Sequence, residues 1–242
     1  EDMHSYDQLL RACGYFTHRY GKIDRVDSHT EYWMETEAAL RADFNVFGPK
    51  REDATKLKHK SYMKQAFEQA GVATPRGQVI QSPEQARQLV DEIGYPIIAK
   101  PDVGVGAANT FKIADAAQLE RFLASKPPAD YMIEEFIEGT EVTVLVAENP
   151  DDPARARTYT PMQYRFPDGE TFKHAHMKWV DYDRMSAFPV ADPALDARLR
   201  DVSARFFVAL DGASFGRCDL RVDRHGTPFM LEINPNCGVY YP

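Results

Sequence analysis

Phe215-Gly216-Arg217-Cys218-Asp219-Leu220-Arg221-Val222-Asp223, then Arg224-His225-Gly226-Thr227, then Pro228-Phe229-Met230-Leu231-Glu232-Ile233-Asn234 reads as strand, turn and strand. Turn-forming residues between two runs of alternating polarity predict a β-hairpin over 214–234. If Arg224 to Thr227 form a four-residue loop, Asp223 opposes Pro228, Asp219 opposes Glu232 and Arg217 opposes Asn234. Side chains alternate along strands, so Arg217, Asp219, Arg221, Glu232 and Asn234 fall on one face and Cys218, Leu220, Val222, Leu231 and Ile233 on the other. Opposed residues have Cβ atoms about 4.5 to 5.5 Å apart, close enough for two carboxylates to repel unless a cation lies between them. A divalent metal suits that pair, because Mg²⁺ takes hard oxygen ligands from one or two carboxylates plus phosphates. The competing reading is a surface hairpin whose Arg217 and Arg221 neutralise the acids.

Upstream of the hairpin the pattern alternates between short strands and helices. Leu57, Met63, Phe67 and Ala70 recur at helical spacing and predict one helix over 54–70, stopped at Gly71. A strand over 78–80 is followed by a helix from Ser82-Pro83-Glu84 to about Ile93, with serine at the cap and proline in the first turn. Strands over 95–100, 110–113 and 131–136, a glycine-bearing loop over 102–108 and a helix over 116–124 complete one lobe, read as a mixed sheet covered by helices. Strands over 141–147, 158–164 and 170–173, a helix over 193–210 and the hairpin make a second lobe.

The whole-chain numbers narrow the class. The 242 residues exceed the usual domain size of about 100 to 150, so two lobes are natural. A net charge of −8 argues against a nucleic-acid partner. Positive charge does cluster at Lys50, Arg51, Lys56, Lys58, Lys60 and Lys64, either as solvated helix faces or as a place for a compact anion. Cys13, Cys218 and Cys237 form no CxxC pair, which points away from disulfides and cysteine-based zinc and toward a cytoplasmic protein. No apolar run approaches the roughly 18 residues that span a bilayer, so no membrane partner is expected. His174 and His176 read as surface residues rather than a zinc pair, since no third ligand stands at helical spacing.

Phe215 to Leu220 followed by Phe229-Met230-Leu231-Glu232-Ile233-Asn234-Pro235-Asn236 resembles the metal-binding end of ATP-grasp ligases, in particular the D-alanine-D-alanine ligase-like branch. The resemblance implies that Asp219, Glu232 and Asn234 bind Mg²⁺, with Mn²⁺ as a substitute, and that Arg217 contacts the transferred phosphate. His59-Lys60-Ser61-Tyr62-Met63-Lys64 through Ala70-Gly71-Val72 resembles the family's first helix and implies a phosphate lysine at Lys60, although His59 stands where the family usually has Asp. Pro96-Ile97-Ile98-Ala99-Lys100-Pro101 followed by Gly104 to Ala108 is similar to the second lysine and the phosphate-covering loop, which assigns Lys100, Gly104 and Gly106. Ile133 to Glu141 resembles the hinge, implying adenine contacts from Glu134, Glu135, Phe136 and Ile137 and a ribose contact from Glu141. The resemblance further implies a later phosphate lysine at Lys178.

The implied fold is α+β, an ATP-grasp fold of two α+β lobes with the nucleotide between them, preceded by a partial N-terminal domain. On that division residues 1–50 are a remnant of the preceding domain, 51–135 the first lobe and 136–242 the second, and the chain is expected to be incomplete at both ends. The implied activity uses ATP to turn a carboxylate into an acyl phosphate and joins it to an amine, with Arg217 and Lys100 as catalytic residues. Its partners would be ATP and small carboxylate and amine substrates, with a homodimer left open. An ATP-grasp kinase acting on a hydroxyl and a nucleotide-binding module without catalysis are the rival readings.

Overall fold

The computed structural model describes residues 2–104, 107, 109–125, 130–152 and 154–237. The chain opens with α1 (Tyr6–Tyr20), which buries none of its residues, and α2 (Met34–Asp43). Where one helix over 54–70 is expected there are two, α3 (Arg51–Lys58) and α4 (Lys60–Gln69), separated at His59, whose backbone is extended. The break has a local cause in Asp102. Its carboxylate accepts from Ser61 N–H (2.8 Å) and Ser61 Oγ (2.9 Å) and meets His59 Nδ1 (2.8 Å), while its own carbonyl accepts from Lys60 N–H (3.0 Å). These bonds serve the orphan donors at the start of α4, the task usually left to a capping side chain.

The first lobe continues with β1 (Gly77–Ile80), α5 (Pro83–Ile93), β2 (Ile97–Pro101), β3 (Phe111–Ile113), α6 (Ala116–Ser125) and β4 (Tyr131–Glu135). Ser82 caps α5 by accepting from Gln85 N–H at 3.2 Å, with Pro83 in the first turn. The sheet order is β1-β4-β2-β3, and each pairing is antiparallel, so the sheet is not mixed. Leu89 of α5 and Leu119 and Phe122 of α6 bury against Ile80, Ile97 and Ile133 of the sheet.

The second lobe comprises β5 (Gly139–Ala147), β6 (Arg157–Thr158), β7 (Met162–Arg165), α7 (Ala175–Trp179), β8 (Ser186–Pro189), α8 (Pro193–Ala209), β9 (Phe215–Asp223) and β10 (Pro228–Pro235). The path β10-β9-β5-β7-β8 is also antiparallel, with β6 beside β5. The single strand expected over 158–164 is divided before Met162, where Pro161 has no N–H to give a ladder. The expected strand over 170–173 does not form. Its backbone is instead held by side chains, Lys173 N–H donating to Glu141 (3.2 Å) and Thr171 C=O accepting from Arg221 (3.0 Å). The core under β5, β9 and β10 includes Leu199 and Phe206 of α8 and also Met63 and Phe67 of α4, with the Phe67 and Phe206 rings 4.0 Å apart. Helix α4 therefore precedes the first sheet in the chain but packs with the second.

The closing hairpin departs from the expected register in one place. Pro228 pairs with Val222, not Asp223, because Asp223 N–H bonds Thr227 C=O and Gly226, at φ +78°, closes a three-residue loop. A bulge between Met230 and Glu232 absorbs the slip and restores Glu232 opposite Asp219 and Asn234 opposite Arg217. The bulge also overturns the expected face of Leu231. Met230 takes the fully buried core position, and Leu231 turns toward the space between the lobes.

Candidate active site

Between the two sheets lies a cleft of about 900 Å³. From the first lobe come Lys100 and Glu134, which sit on neighbouring strands and form an ion pair at 2.5 Å, both largely buried. Lys60, at the start of α4, reaches Gly104 C=O at 2.9 Å and Glu232 at 3.4 Å, so it bridges the lobes. Of the basic cluster only Lys60 lines the cleft among the described side chains. Lys50 donates to the carbonyls of Arg41 and Val46, Arg51 pairs with Asp43, Lys58 with Glu35, and Lys64 donates to Thr74 and Pro75 C=O. The compact anion site considered for that cluster is thus reduced to one lysine, and the Lys56 side chain lies outside the described residues.

The second lobe supplies the acids. Asp219 receives Arg217 Nε (2.9 Å) and Nη2 (2.9 Å), Thr143 Oγ1 (3.0 Å) and Asn234 Nδ2 (2.9 Å). Burial pushes this carboxyl up, but Arg217, Lys173 and Lys178 outweigh it and hold it down at about 2. Glu232 faces it across the hairpin. Its one ion-pair partner among the described residues is Lys60. Burial and the nearby Arg217 push the Lys178 ammonium down, whereas Lys173 stays above its ordinary value despite burial because Asp219, Tyr164 and Glu141 surround it. Among the described residues no group of three His, Cys, Asp or Glu gathers that could hold a metal ion.

Phe136, Ile137, Ile98, Phe172 and Leu231 also line the cleft, as do Glu134 and Glu135. The Glu135 carboxylate is already held by Arg76, through Nε (3.0 Å), Nη2 (2.8 Å) and the backbone N–H (2.8 Å). Glu141 is buried beside Arg221 Nη1 (3.4 Å), and burial raises its carboxyl against the pull of Lys173 and Arg221. Arg221 reaches farther, donating to the carbonyls of Ile137 (2.5 Å), Gly139 (2.8 Å) and Thr171 (3.0 Å) beneath the Phe136 ring, which Lys112 caps at 3.8 Å.

Lys60, Lys100, Gly104, Glu134, Glu135, Phe136, Ile137, Glu141, Lys178, Asp219 and Glu232 thus all border one cleft. Arg217 and Asn234 join it through Asp219. Gly106 lies outside the described residues. Phe172, Lys173, Leu231 and Thr143 were missed. Thr143 stands on β5 across from Asp219, a pairing that needs the order of the sheet and not only the hairpin.

Comparison with known proteins places this architecture. The family model described as "D-ala D-ala ligase C-terminus" matches residues 66–240. D-alanine–D-alanine ligase of Pseudomonas putida (strain GB-1) is 28% identical over 182 residues, covering 73% of this chain and 54% of that protein. The chain spans about half the length of the curated relatives it matches. Among solved structures, L-amino acid ligase from Bacillus licheniformis superposes with a TM-score of 0.69 at 15% identity, covering 96% of this chain and 53% of that one. D-alanine–D-alanine ligase from Bacillus anthracis gives a TM-score of 0.67 at 17% identity, covering 96% and 73%.

Proposed function

The chain belongs to the D-ala D-ala ligase C-terminus family and has the ATP-grasp fold, and from that premise we propose that it is the nucleotide-binding part of an ATP-dependent ligase that activates a carboxylate and joins it to an amine. The observation that carries this is the mixed lining of one cleft, where Lys60, Lys100, Lys178, Asp219 and Glu232 stand together with Ile98, Phe136, Ile137, Phe172 and Leu231. Adenine would take the apolar part beside Glu134, Phe136, Ile137 and Leu231, with the ribose toward Glu141. Phosphates extend toward Lys60, Lys100, Lys178 and Arg217 under Gly104.

The donor set suits Mg²⁺. Asp219 is held ionised in spite of burial. Glu232 opposes it, and Asn234 adds an amide, so the available ligands are hard oxygens. Asp219, Glu232 and Asn234 would hold the ion, which, when bound, neutralises charge on the phosphate oxygens. Mn²⁺ takes similar ligands and is the natural substitute. A structural neighbour at 16% identity, the biotin carboxylase domain of the 2-oxoglutarate carboxylase of Hydrogenobacter thermophilus, was solved with MgADP.

The chain's own residues act by position and charge. A substrate carboxylate oxygen attacks the γ-phosphorus, the bond to the β,γ-bridging oxygen breaks, and ADP departs with that electron pair. The amine nitrogen then displaces phosphate from the acyl carbon and loses a proton. Arg217, Lys60 and Lys100 stabilise charge spread over the phosphoryl oxygens, and none needs to form a covalent bond.

The test is Mg-dependent ADP release with a panel of carboxylates in the presence of hydroxylamine. An acyl phosphate is trapped as a hydroxamate, which is the expected result. ADP release with no hydroxamate from any acid would sink the ligase reading and leave phosphorylation of a hydroxyl.

A further inference from the structure

Helix α7 (Ala175–Trp179) is five residues long and brings Lys178 to the nucleotide cleft. A helix far below about 12 residues does not sustain itself in water, because its nucleus is costly and its ends leave backbone groups unpaired. Its place depends on what holds it. Met177 anchors it in the interior, fully buried. Its start is held by His174, whose extended backbone stands at the N-cap. The imidazole Nδ1 accepts from Met177 N–H at 3.3 Å, and the His174 carbonyl accepts from Lys178 N–H at 2.9 Å. One residue therefore carries both the capping bond and the backbone bond of the lysine.

The other ring nitrogen fixes the charge state that the cap needs. Nε2 lies 2.9 Å from the Glu170 carboxylate, which only accepts, so Nε2 carries the proton and Nδ1 keeps its lone pair for Met177. The ring is neutral in that arrangement. A proton added at Nδ1 turns the acceptor into a second donor facing an N–H and sets a positive charge at the positive end of α7. Serine, threonine, asparagine and aspartate, the usual caps, keep their acceptor through the neutral range, whereas imidazole loses its own between about pH 8 and 5. The His174 side chain is 24% exposed, so it exchanges protons with solvent. Besides Glu170, the charged and titratable groups around it are His176 of α7, with the rings 6.5 Å apart, and Lys112 of β3, which lines the same cavity. Lys173 precedes it but turns its ammonium to Tyr164 and Glu141, and Asp181 faces His176 at 3.6 Å.

We propose that His174 is a positioning residue for phosphate binding, its neutral imidazole capping α7 so that Lys178 stands in the cleft, and its protonation letting the start of the helix fray. This rests on the nucleotide-binding part of the proposed function and is independent of which acid and amine are joined.

Asparagine sets an acceptor oxygen near the place of Nδ1 and does not titrate, whereas glutamine reaches Glu170 as Nε2 does but offers no cap. The Kd for Mg-ATP would be measured by calorimetry at about pH 7.5 and about pH 5.5, within the imidazole range, for wild type, His174→Asn and His174→Gln. At the higher pH His174→Asn is expected to match wild type within about twofold and His174→Gln to bind about fivefold more weakly, the worth of a helix cap. On going to the lower pH wild type is expected to lose about fivefold relative to His174→Asn, a ratio in which titration of ATP and of the other histidines cancels. In a Lys178→Met background the three side chains at this position are expected to agree within about twofold, because the cap acts through that lysine. Parallel pH profiles for wild type and His174→Asn, His174→Gln binding as tightly as His174→Asn at the higher pH, or a loss in His174→Gln that persists undiminished beside Lys178→Met each overturn the proposal. These readouts are independent of hydroxamate trapping, whose failure sinks the ligase reading alone, whereas a wild type that binds no Mg-ATP overturns both.

Discussion

Asp219 sits between Arg217, Thr143 and Asn234, and its carboxyl is held at about 2 against an ordinary value of 3.8. A carboxyl depressed by folding stabilises the native state above its unfolded value, and that stability is lost as pH falls through the folded value. The window is therefore pH 4 down to 2, and the gap is worth about 2 kcal/mol. Asparagine resembles the protonated acid, so Asp219→Asn is expected to be about 2 kcal/mol less stable than wild type at pH 5 and nearly equal to it near pH 2, read by urea unfolding at both. An equal difference at both pH values would remove the electrostatic account. Several residues of this site were legible in the sequence for a physical reason. Asp219, Glu232, Arg217 and Asn234 lie on one face of alternating strands, whereas Lys60 and Lys100 are singled out only through the family resemblance. Phe172 and Lys173 sit in irregular backbone with no periodicity to read, and the position of Lys173 depends on a contact distant in the chain.

The hairpin shows what an element adds to its residues. Counting from the turn places Asp219 opposite Glu232 by a register that is wrong at the loop and right at the acids, because the one-residue bulge near Leu231 corrects the slip. Alternation alone cannot reveal a bulge, since it is a break in alternation. Its consequence is a division of labour between adjacent apolar residues. Met230 is fully buried among Leu220, Val142 and Phe206, whereas Leu231 borders the cleft. Met230→Ala is expected to cost about 2 to 5 kcal/mol in denaturant unfolding, as for other large core deletions. Leu231→Ala is expected to cost less than about 1 kcal/mol and to weaken nucleotide binding severalfold instead, because it strips apolar surface from a ligand rather than from the core. If the two variants lost stability equally, the bulge would not turn Leu231 out of the core. Helices α3 and α4 show the same limit. Helical spacing ran through His59, while the break there is dictated by Asp102, more than forty positions away.

At the scale of the whole molecule the two sheets have separate cores, and the cleft depends on how they are joined. Lys100 stands on the first sheet and Asp219 on the second, so their relative placement is set by the residues that cross between β4 and β5 and by α4, which packs with the second core while carrying Lys60. Arg221 pins that crossing. Its buried guanidinium donates to the carbonyls of Ile137 and Gly139 on the crossing itself and to Thr171 on the loop above, and it faces Glu141. Gly139 shows how tight the passage is, since a Cβ there would lie 1.9 Å from Val222 O. Removing the guanidinium leaves three carbonyls without their donor and a buried carboxylate with Lys173 as its remaining cation. Arg221→Met, which keeps the length of the side chain, is therefore expected to lower stability by about 3 to 5 kcal/mol, the range for breaking a buried ion pair from one side. A purely structural strap would do only that. A strap that also sets the spacing of the two sheets changes what a bridging ligand gains, because nucleotide spans Lys100 on one side and Asp219 on the other. Saturating Mg-ATP is expected to raise the wild-type melting temperature, by the linkage that makes a ligand at about 100 times its Kd worth roughly 2.7 kcal/mol. In Arg221→Met the same concentration is expected to raise it by less, with a weaker Kd by calorimetry. An unchanged Kd in a destabilised variant would confine Arg221 to holding the crossing together.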